Sequence, residues 1–448
     1  MGSKSSYNKG EMSRFIVTDS AAAIVVLPES TQLFVAPTQT VDIKDGGKTA
    51  KFVPWGTTND FPDQITAKIE KNEVLSRGLQ YNIEALVGAG YKAVKETEDG
   101  TLVPYVNADV SAFFERQCVQ DTLLELATDF SYFGMFLPEI VLSNDGKTVT
   151  TFRERNAFYS RWETADEKEK KILRLGYSVK WKESPKMEEI LISHVVPSRG
   201  ASDYVMANMS KWKEKRFVLK IDIPHPGQVY YPKLPWYSVF ESGWYDINVF
   251  IPKIKKALMK NSMKALYVIE LCEDYFEKLF QFEGITDPDK EKDRIDLEYK
   301  KIEDFLTNPD HAGKTIATFY KYDAIRGTTA PYIKITPIKH DQLGGEYNED
   351  SQESTNMLLF ALGVHPSVVG ATPGKNTASF SGTDKRELFM IKQAQMRPYR
   401  ELLCRPLYVI KHLMGWPEDL KFVIGDIIFP TTDKADSSGV QTKLPSIE

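Results

Sequence analysis

Two segments with helical periodicity flank a segment of mixed strand and helix pattern in the second half of this chain. The first helical segment runs from Ser242 to about Ser262, and the second runs from Asp350 to Leu362. Between them, alternating apolar residues predict strands, and a charged stretch from Asp289 to Phe305 predicts another helix. The sequence therefore predicts an α+β fold in which a small module is inserted between two helices.

Further helices and strands are predicted on both sides of this arrangement. Helical spacing predicts one helix from Asp109 to about Phe130 and a long one from about Asp384 to Met414. Pro398 and Pro406 should bend the long helix or divide it, because each proline removes a backbone donor and clashes one turn back. Strands are predicted at 173–180, 189–196, 217–223, 265–271, 315–322 and 332–338.

Charge and cysteine content argue against several classes of protein. The 448 residues contain 57 Lys and Arg against 62 Asp and Glu, which gives a formal net charge of −5. Proteins that grip DNA by its phosphates normally carry a basic excess, although a mildly acidic protein can let a duplex slide. The three cysteines are far apart and odd in number, which argues against a disulfide framework or a CxxC-type zinc site. No apolar run reaches about 18 residues, so no membrane partner is expected.

Catalytic motifs are incomplete throughout the sequence. Gly370 and Gly374 are separated by three residues where a phosphate-binding loop has four, and Asn376 stands where that loop has Ser or Thr. The segment Ser379-Phe380-Ser381-Gly382 lacks the first glycine of a nucleophile elbow. The six histidines form no HExxH motif and no i, i+4 pair. We therefore expect no enzyme activity, no catalytic residue, no metal and no cofactor.

Basic residues in the first of the two flanking helices form the remaining candidate site. Five lysines lie within a few turns there, and a later loop adds further lysine, amide and hydroxyl side chains. Such a set gives weak, sequence-independent contacts to phosphates, which suit a polyanion that moves past. The alternative is a solvated helix face without a specific role.

Two local motifs and their order in the chain resemble a known family. The first is Trp55-Gly56-Thr57-Thr58-Asn59-Asp60-Phe61-Pro62, followed by a helix and by Leu86-Val87-Gly88-Ala89-Gly90-Tyr91. The second is Phe360-Ala361-Leu362-Gly363-Val364-His365-Pro366-Ser367-Val368-Val369-Gly370, followed by a Ser- and Asn-rich loop and a long helix. Together they resemble the portal proteins of tailed bacteriophages, especially those of phages that infect Bacteroidetes.

The resemblance implies a dodecameric ring whose subunit has a wing, a helical stem, an α/β clip, a tunnel loop and a reduced or absent crown. By position, these regions are the wing at 1–241, stem helix 1 at 242–262, the clip at 263–343, stem helix 2 at 344–370, the tunnel loop at 371–383, a long helix with the C-terminal part of the wing or crown base at 384–432, and a mobile tail at 433–448.

The resemblance also implies partners and a location. The ring would be made in the host cytoplasm and sit at one capsid vertex of the virion, where double-stranded DNA passes during packaging and ejection. Other implied partners are the terminase large subunit, a head–tail adaptor, and the major capsid and scaffold proteins. Two alternatives stay open: another head–tail connector or structural virion protein without a DNA-lining stem, and an α+β enzyme whose site is assembled from distant residues.

Site residues follow from the same resemblance. The implied clip docking surface contains Arg326, Thr328, Thr329 and Tyr332. The implied DNA-channel residues are Lys253, Lys255, Lys256, Lys260 and Lys264 in the stem, and Lys375, Asn376, Thr377, Ser379 and Ser381 in the tunnel loop.

Overall fold

The computed structural model divides the chain into two compact units. One unit combines Met1–Tyr237 with Ser381–Glu448, and the other is the intervening Ser238–Phe380. The structure describes residues 15–16, 24–25, 40–45, 48–166, 171–262, 267–271, 273–307, 320–323, 328–337, 346–369 and 382–427. Helices and strands are mixed in this part of the chain, so the predicted α+β class is confirmed.

The α-helices are numbered in chain order. They are α1 (Phe61–Glu70), α2 (Glu73–Val87), α3 (Ala108–Arg116), α4 (Val119–Phe133), α5 (Ala201–Asn208), α6 (Ser238–Glu241), α7 (Trp244–Ser262), α8 (Glu273–Glu283), α9 (Pro288–Thr307), α10 (Glu346–Ala361), α11 (Pro366–Val369) and α12 (Gly382–Leu413).

The strands are numbered in the same way. They are β1 (Phe15–Ile16), β2 (Ile24–Val25), β3 (Val41–Asp45), β4 (Lys48–Phe52), β5 (Tyr91–Glu96), β6 (Leu102–Pro104), β7 (Met135–Phe136), β8 (Pro138–Leu142), β9 (Val149–Glu154), β10 (Ser160–Trp162), β11 (Arg174–Tyr177), β12 (Leu191–Pro197), β13 (Arg216–Asp222), β14 (Tyr267–Leu271), β15 (Tyr320–Asp323), β16 (Thr328–Pro331), β17 (Ile333–Pro337) and β18 (Leu420–Ile424).

A seven-stranded sheet forms the centre of the first unit. Its order is β10-β11-β12-β13-β8-β9, with β7 also paired to β13, and the β12–β13 pair is parallel while the others are antiparallel. Both outer strands also form hydrogen bonds with segments of the same chain that lie outside the sheet. At β9, the Gln117 side chain accepts from Phe152 N (3.0 Å) and donates to Thr150 O (3.1 Å). At β10, Val53 N donates to Trp162 O (2.8 Å), so backbone groups of both outer strands have partners outside the sheet.

The C-terminal segment completes the first unit. Strand β18 pairs antiparallel with β5, which itself pairs with β6, so a three-stranded sheet joins residues far apart in sequence. Gly88 and Gly90, the glycines of the first motif, have φ of +50° and +80° at this junction. A Cβ on Gly88 would lie 2.5 Å from Gly425 O, so only glycine permits the close backbone approach.

Helix boundaries differ from the prediction in two places. The segment 109–130 is not one helix, because Cys118 has φ +47° and separates α3 from α4. Helix α12 is continuous and is not divided at Pro398 or Pro406. A proline inside a helix costs about 3 kcal/mol. The fully buried Leu403, Leu407 and Ile410 on the same helix offset that cost, because burying each such side chain contributes about 1.5–3 kcal/mol.

The tryptophan motif that leads into α1 is a loop held by a buried arginine. Arg161, which is 2% exposed, donates from Nε to Asn59 Oδ1 (2.6 Å) and from Nη2 to Asn59 O (3.0 Å). Asn59 has φ +58°, and its Oδ1 also accepts from Trp55 N (3.0 Å). Asparagine tolerates this left-handed backbone, which is why it fits here. The motif is therefore a packed turn that fixes the entry to α1.

The second unit contains the helices and strands predicted for the inserted module. Helix α9 matches the predicted charged helix, α10 begins four residues before the predicted start, and α8 was not predicted. Strand β14 pairs with β17, and β15 pairs with β16, both antiparallel. Thr328 and Thr329 of the implied docking surface lie in β16, a strand that was not predicted and that pairs with β15.

Candidate functional site

An antiparallel helix pair, α7 with α10, is the candidate site in the second unit. Asn248 Nδ2 donates to Ser354 Oγ (3.1 Å) and to Thr355 Oγ1 (3.2 Å). Further along, Lys255 Nζ donates to Asn348 Oδ1 (2.7 Å). Residue numbers rise along α7 while those of their partners in α10 fall, so the two helices run in opposite directions.

Asn248 fixes the register of this pair. Its side chain, like those of Ser354 and Thr355, is buried, with Ile251, Leu358 and Leu359 buried nearby in the same two helices. Buried polar groups must find hydrogen-bond partners, and sliding either helix by one residue would break both bonds of the asparagine. Sequence reasoning missed this contact because nothing in the pattern of either helix pairs an asparagine with hydroxyls about 106 residues away.

Replacing Asn248 tests that role. We expect Asn248→Ala to lower the free energy of unfolding by about 1–3 kcal/mol, because the two hydroxyls lose a buried partner. Urea unfolding followed by circular dichroism measures the change. Asn208→Ala is the matched control, since its side chain bonds only one carbonyl, Tyr204 O, within its own helix. Equal effects of the two substitutions would contradict the role.

The predicted stem lysines do not share one environment. Lys253 and Lys256 are exposed, whereas Lys255 is half-buried and bonded to α10. Lys260 belongs to α7, but its side chain is not described, and Lys264 lies outside the described residues. The structure therefore places two of the five lysines, Lys253 and Lys256, on the open side of α7.

The outer face of α10 is acidic, a feature that sequence reasoning missed. Glu349, Asp350 and Glu353 are exposed, and α10 contains four acidic residues and no lysine or arginine. The run Glu349-Asp350 was visible in the sequence, and its spacing to Glu353 places these carboxylates along one side of a helix. The helix pair thus presents opposite charges on its two members.

The α8–α9 hairpin is held by one arginine between two carboxylates. Arg294 donates from Nε (2.8 Å) and Nη2 (3.0 Å) to the two oxygens of Glu283, and from Nη1 to Glu298 Oε2 (2.7 Å). These hydrogen bonds hold the pKa of Glu283 below its ordinary value. Tyr275 OH donates to the other oxygen of Glu298 (2.9 Å), so both oxygens of that carboxylate are used in fixing the hairpin.

The residues predicted for a docking surface have different environments. Tyr332 is only 8% exposed and accepts a hydrogen bond from Lys278 Nζ (2.5 Å), so its ring belongs to the interior of the unit. Thr329 is exposed, and of Thr328 only the backbone in β16 is described. Arg326 lies outside the described residues, as do the predicted tunnel-loop residues Lys375, Asn376, Thr377, Ser379 and Ser381.

Among the described residues, no group of three or more His, Cys, Asp or Glu side chains is arranged to hold a metal ion. Of the helices described, none combines the length and the apolar character needed to cross a bilayer.

Comparison by sequence and by structure gives different outcomes. No protein-family model matches the chain, and no curated protein is similar to it in sequence. Solved structures do match. A chain from "Neck of empty GTA particle computed with C6 symmetry" has a TM-score of 0.52 and 13% identity, covering 84% of this chain and 86% of that chain.

Two further structures match over similar lengths. A chain from "Neck of native GTA particle computed with C12 symmetry" has a TM-score of 0.51 and 12% identity over 81% of this chain and 84% of that chain. A chain from "Virion of native gene transfer agent (GTA) particle" has a TM-score of 0.50 and 11% identity over 80% and 83%. At these identities the similarity is one of fold. The chain has the fold of a subunit found in the neck of gene transfer agent particles.

Proposed function

We propose that this protein is a structural subunit of a phage-like virion, and specifically the portal protein, whose identical copies form a dodecameric ring around the DNA path at one capsid vertex. The observation that carries the proposal is a fold shared over more than four-fifths of the chain with subunits from the necks of gene transfer agent particles, one of which has C12 symmetry. The two sequence motifs, which resemble those of phage portals, support the narrower assignment.

The division of the chain supports the proposed regions. The first unit would be the wing, and the chain leaves it at Tyr237 and returns at Ser381. The intervening unit holds the helix pair and the strands and helices inserted between α7 and α10. In the proposed ring, α7 and α10 are the stem beside the channel, the insert is the clip, and residues 371–383 are the tunnel loop.

Charge on the helix pair suits a channel through which DNA moves. Helices α7 and α10 together carry four lysines and five acidic residues, so the pair has no basic excess. Because phosphate neutralisation supplies most non-specific DNA affinity, a near-neutral wall lets a duplex slide. The proposed DNA contacts are then few and sequence-independent, and Lys260, Lys264 and the tunnel-loop residues Lys375, Asn376, Thr377, Ser379 and Ser381 are the candidates for them.

The insert is the proposed docking site for the terminase large subunit during packaging and for a head–tail adaptor afterwards. Thr329 is exposed there, and the hydrogen bonds of Arg294 hold the α8–α9 hairpin in one conformation, which suits a surface that binds such partners. Capsid and scaffold proteins would contact the ring from the wing side. No enzymatic step is assigned to any residue.

A head–tail connector ring is the second candidate, because the structures with a similar fold come from necks, one with C6 and one with C12 symmetry. Binding to the terminase large subunit separates the two. A portal binds terminase before the head is filled, whereas a connector that joins afterwards does not.

Mass in solution tests the ring itself. Sedimentation equilibrium of the purified protein should give a species about twelve times the chain mass of 50.9 kDa. Pull-down of the purified ring with terminase then tests the portal assignment. A species of one or two copies at every concentration and salt condition would contradict the proposed function.

A further inference from the structure

We infer that the α7–α10 pair is the contact between neighbouring copies in the ring, with Lys253 and Lys256 of one copy paired with Glu349 and Glu353 of the next. The inference rests on the proposed ring and adds to it the surface that closes the ring. The occupant of this surface is a second copy of the same chain.

The two charged faces lie on opposite sides of the pair. With 3.6 residues per turn, Asn248, Ile251 and Lys255 share the side of α7 that faces α10, and Lys253 falls on the opposite side. On α10, Ser354 and Leu358 are buried toward α7, and Glu349 and Glu353 fall on the far side. A single copy therefore has a basic side on α7 and an acidic side on α10.

The charged groups also lie at the same height along the pair. Asn248 is level with Ser354 and Thr355 because it bonds both. Lys253 lies five residues beyond Asn248, and Glu349 lies five residues before Ser354, so both are about 7.5 Å from that level in the same direction. When identical copies are related by rotation about an axis along the helices, the basic side of one copy meets the acidic side of the next without an axial shift.

Each outer face also carries an exposed aromatic ring. Phe250 on α7 is 60% exposed and Phe360 on α10 is 78% exposed. Aromatic residues are enriched at interfaces between subunits, so a ring on each outer face fits a contact between copies.

The arrangement selects a ring and disfavours a twofold dimer. In a head-to-tail contact every lysine faces a carboxylate, and such heterologous contacts close into rings. A twofold contact through either face would place lysine against lysine or carboxylate against carboxylate, and this repulsion disfavours it. Because the groups are exposed, the contact should weaken as salt rises.

Charge reversal tests the inference. In a Lys253→Glu, Lys256→Glu variant both sides of the pair are acidic, and in a Glu349→Lys, Glu353→Lys variant both sides are basic. Each variant alone should lose rings, with at least a tenfold smaller ring fraction by sedimentation velocity at low salt. Mixing the two should restore rings of alternating copies, because every contact is then complementary again. A variant with all four substitutions should also form rings.

Controls keep the outcomes distinct. Lys292→Glu with Lys300→Glu reverses two exposed lysines of α9 and should leave the ring fraction unchanged. Circular dichroism shows whether each variant is folded. Rings of normal yield from both single-side variants, or variants that lose rings and fail to regain them on mixing, overturn this inference while the ring of the unaltered protein stands. Failure of the unaltered protein to form rings overturns the proposed function instead.

Discussion

Arg161→Met should strongly lower the free energy of unfolding of the first unit. The guanidinium bonds both oxygens of Asn59 and the carbonyls of Phe158 (2.9 Å) and Ser160 (2.8 Å), and it lies 5.7 Å from the ring centre of Trp55. Methionine fills much of the volume but removes all four of these donated hydrogen bonds, while Asn59 Oδ1 keeps the donor Trp55 N. We expect the free energy of unfolding to fall by about 3–5 kcal/mol.

Denaturant unfolding with tryptophan fluorescence measures this loss. Arg77→Met is the matched control. Arg77 Nη1 lies 3.2 Å from Glu84 Oε1, and both side chains are half exposed. Such an ion pair contributes at most about 1 kcal/mol to the free energy of unfolding. A loss below about 1 kcal/mol for Arg161→Met would show that the arginine is not the anchor of the tryptophan loop.

Glu154→Gln should stabilise the protein at neutral and higher pH. The carboxyl of Glu154, at the end of β9, is largely buried beside Asp129 of α4, and Ala157 N donates to Asp129 Oδ2 (2.6 Å). Burial, the hydrogen bond to Asp129 and the nearby Asp129 and Glu125 charges raise the pKa of Glu154 far above 4.5. The two buried side chains therefore share a proton in the folded protein.

The sign of the pH dependence follows from that raised pKa. Below about pH 4.5 the glutamate is protonated in both the folded and the unfolded chain, so no penalty arises. Above pH 4.5 the unfolded chain releases the proton while the folded chain keeps it. Stability is therefore lost as pH rises, by up to about 1.4 kcal/mol per pH unit for this group. Glutamine keeps the shape and the hydrogen-bonding groups without titrating.

Unfolding free energies of the two proteins at pH 5, 6.5 and 8 measure the effect. The gain from Glu154→Gln should grow with pH and reach about 2–4 kcal/mol at pH 8. Glu115→Gln, at an exposed position on α3, is the control and should show no such growth. A gain that is constant across the pH range would mean that the buried pair does not hold a proton.

Local patterns were sufficient for much of the fold. Helical spacing located α7, α9, α10 and α12, and alternation located strands that became β11, β12 and β13. These elements bury one face each, so their apolar residues recur at the period of the element. The break at Cys118 escaped prediction because the contact beside it is distant in sequence: the Gln117 side chain bonds the backbone of β9.

The candidate site was less accessible to sequence reasoning. Composition was enough to find the lysines of α7. It could not show that Lys255 bonds α10 while Lys253 and Lys256 are exposed, because that depends on which side of α7 meets α10. That side is set by Asn248 and its two hydroxyl partners, which are distant in sequence. The motif Trp55–Pro62 was recognised, yet its anchor, Arg161, lies 102 residues from Asn59. Long-range polar contacts of this kind leave no periodic signal.

Cryo-electron microscopy of the purified protein at low salt tests the central claim most directly, because it shows both the number of copies and the channel. The proposed function predicts class averages of a twelvefold ring with a central opening wide enough for a DNA duplex, and with the α7–α10 pairs of successive copies side by side around it. Particles without a central opening, or a population of monomers alone at high protein concentration, would contradict it.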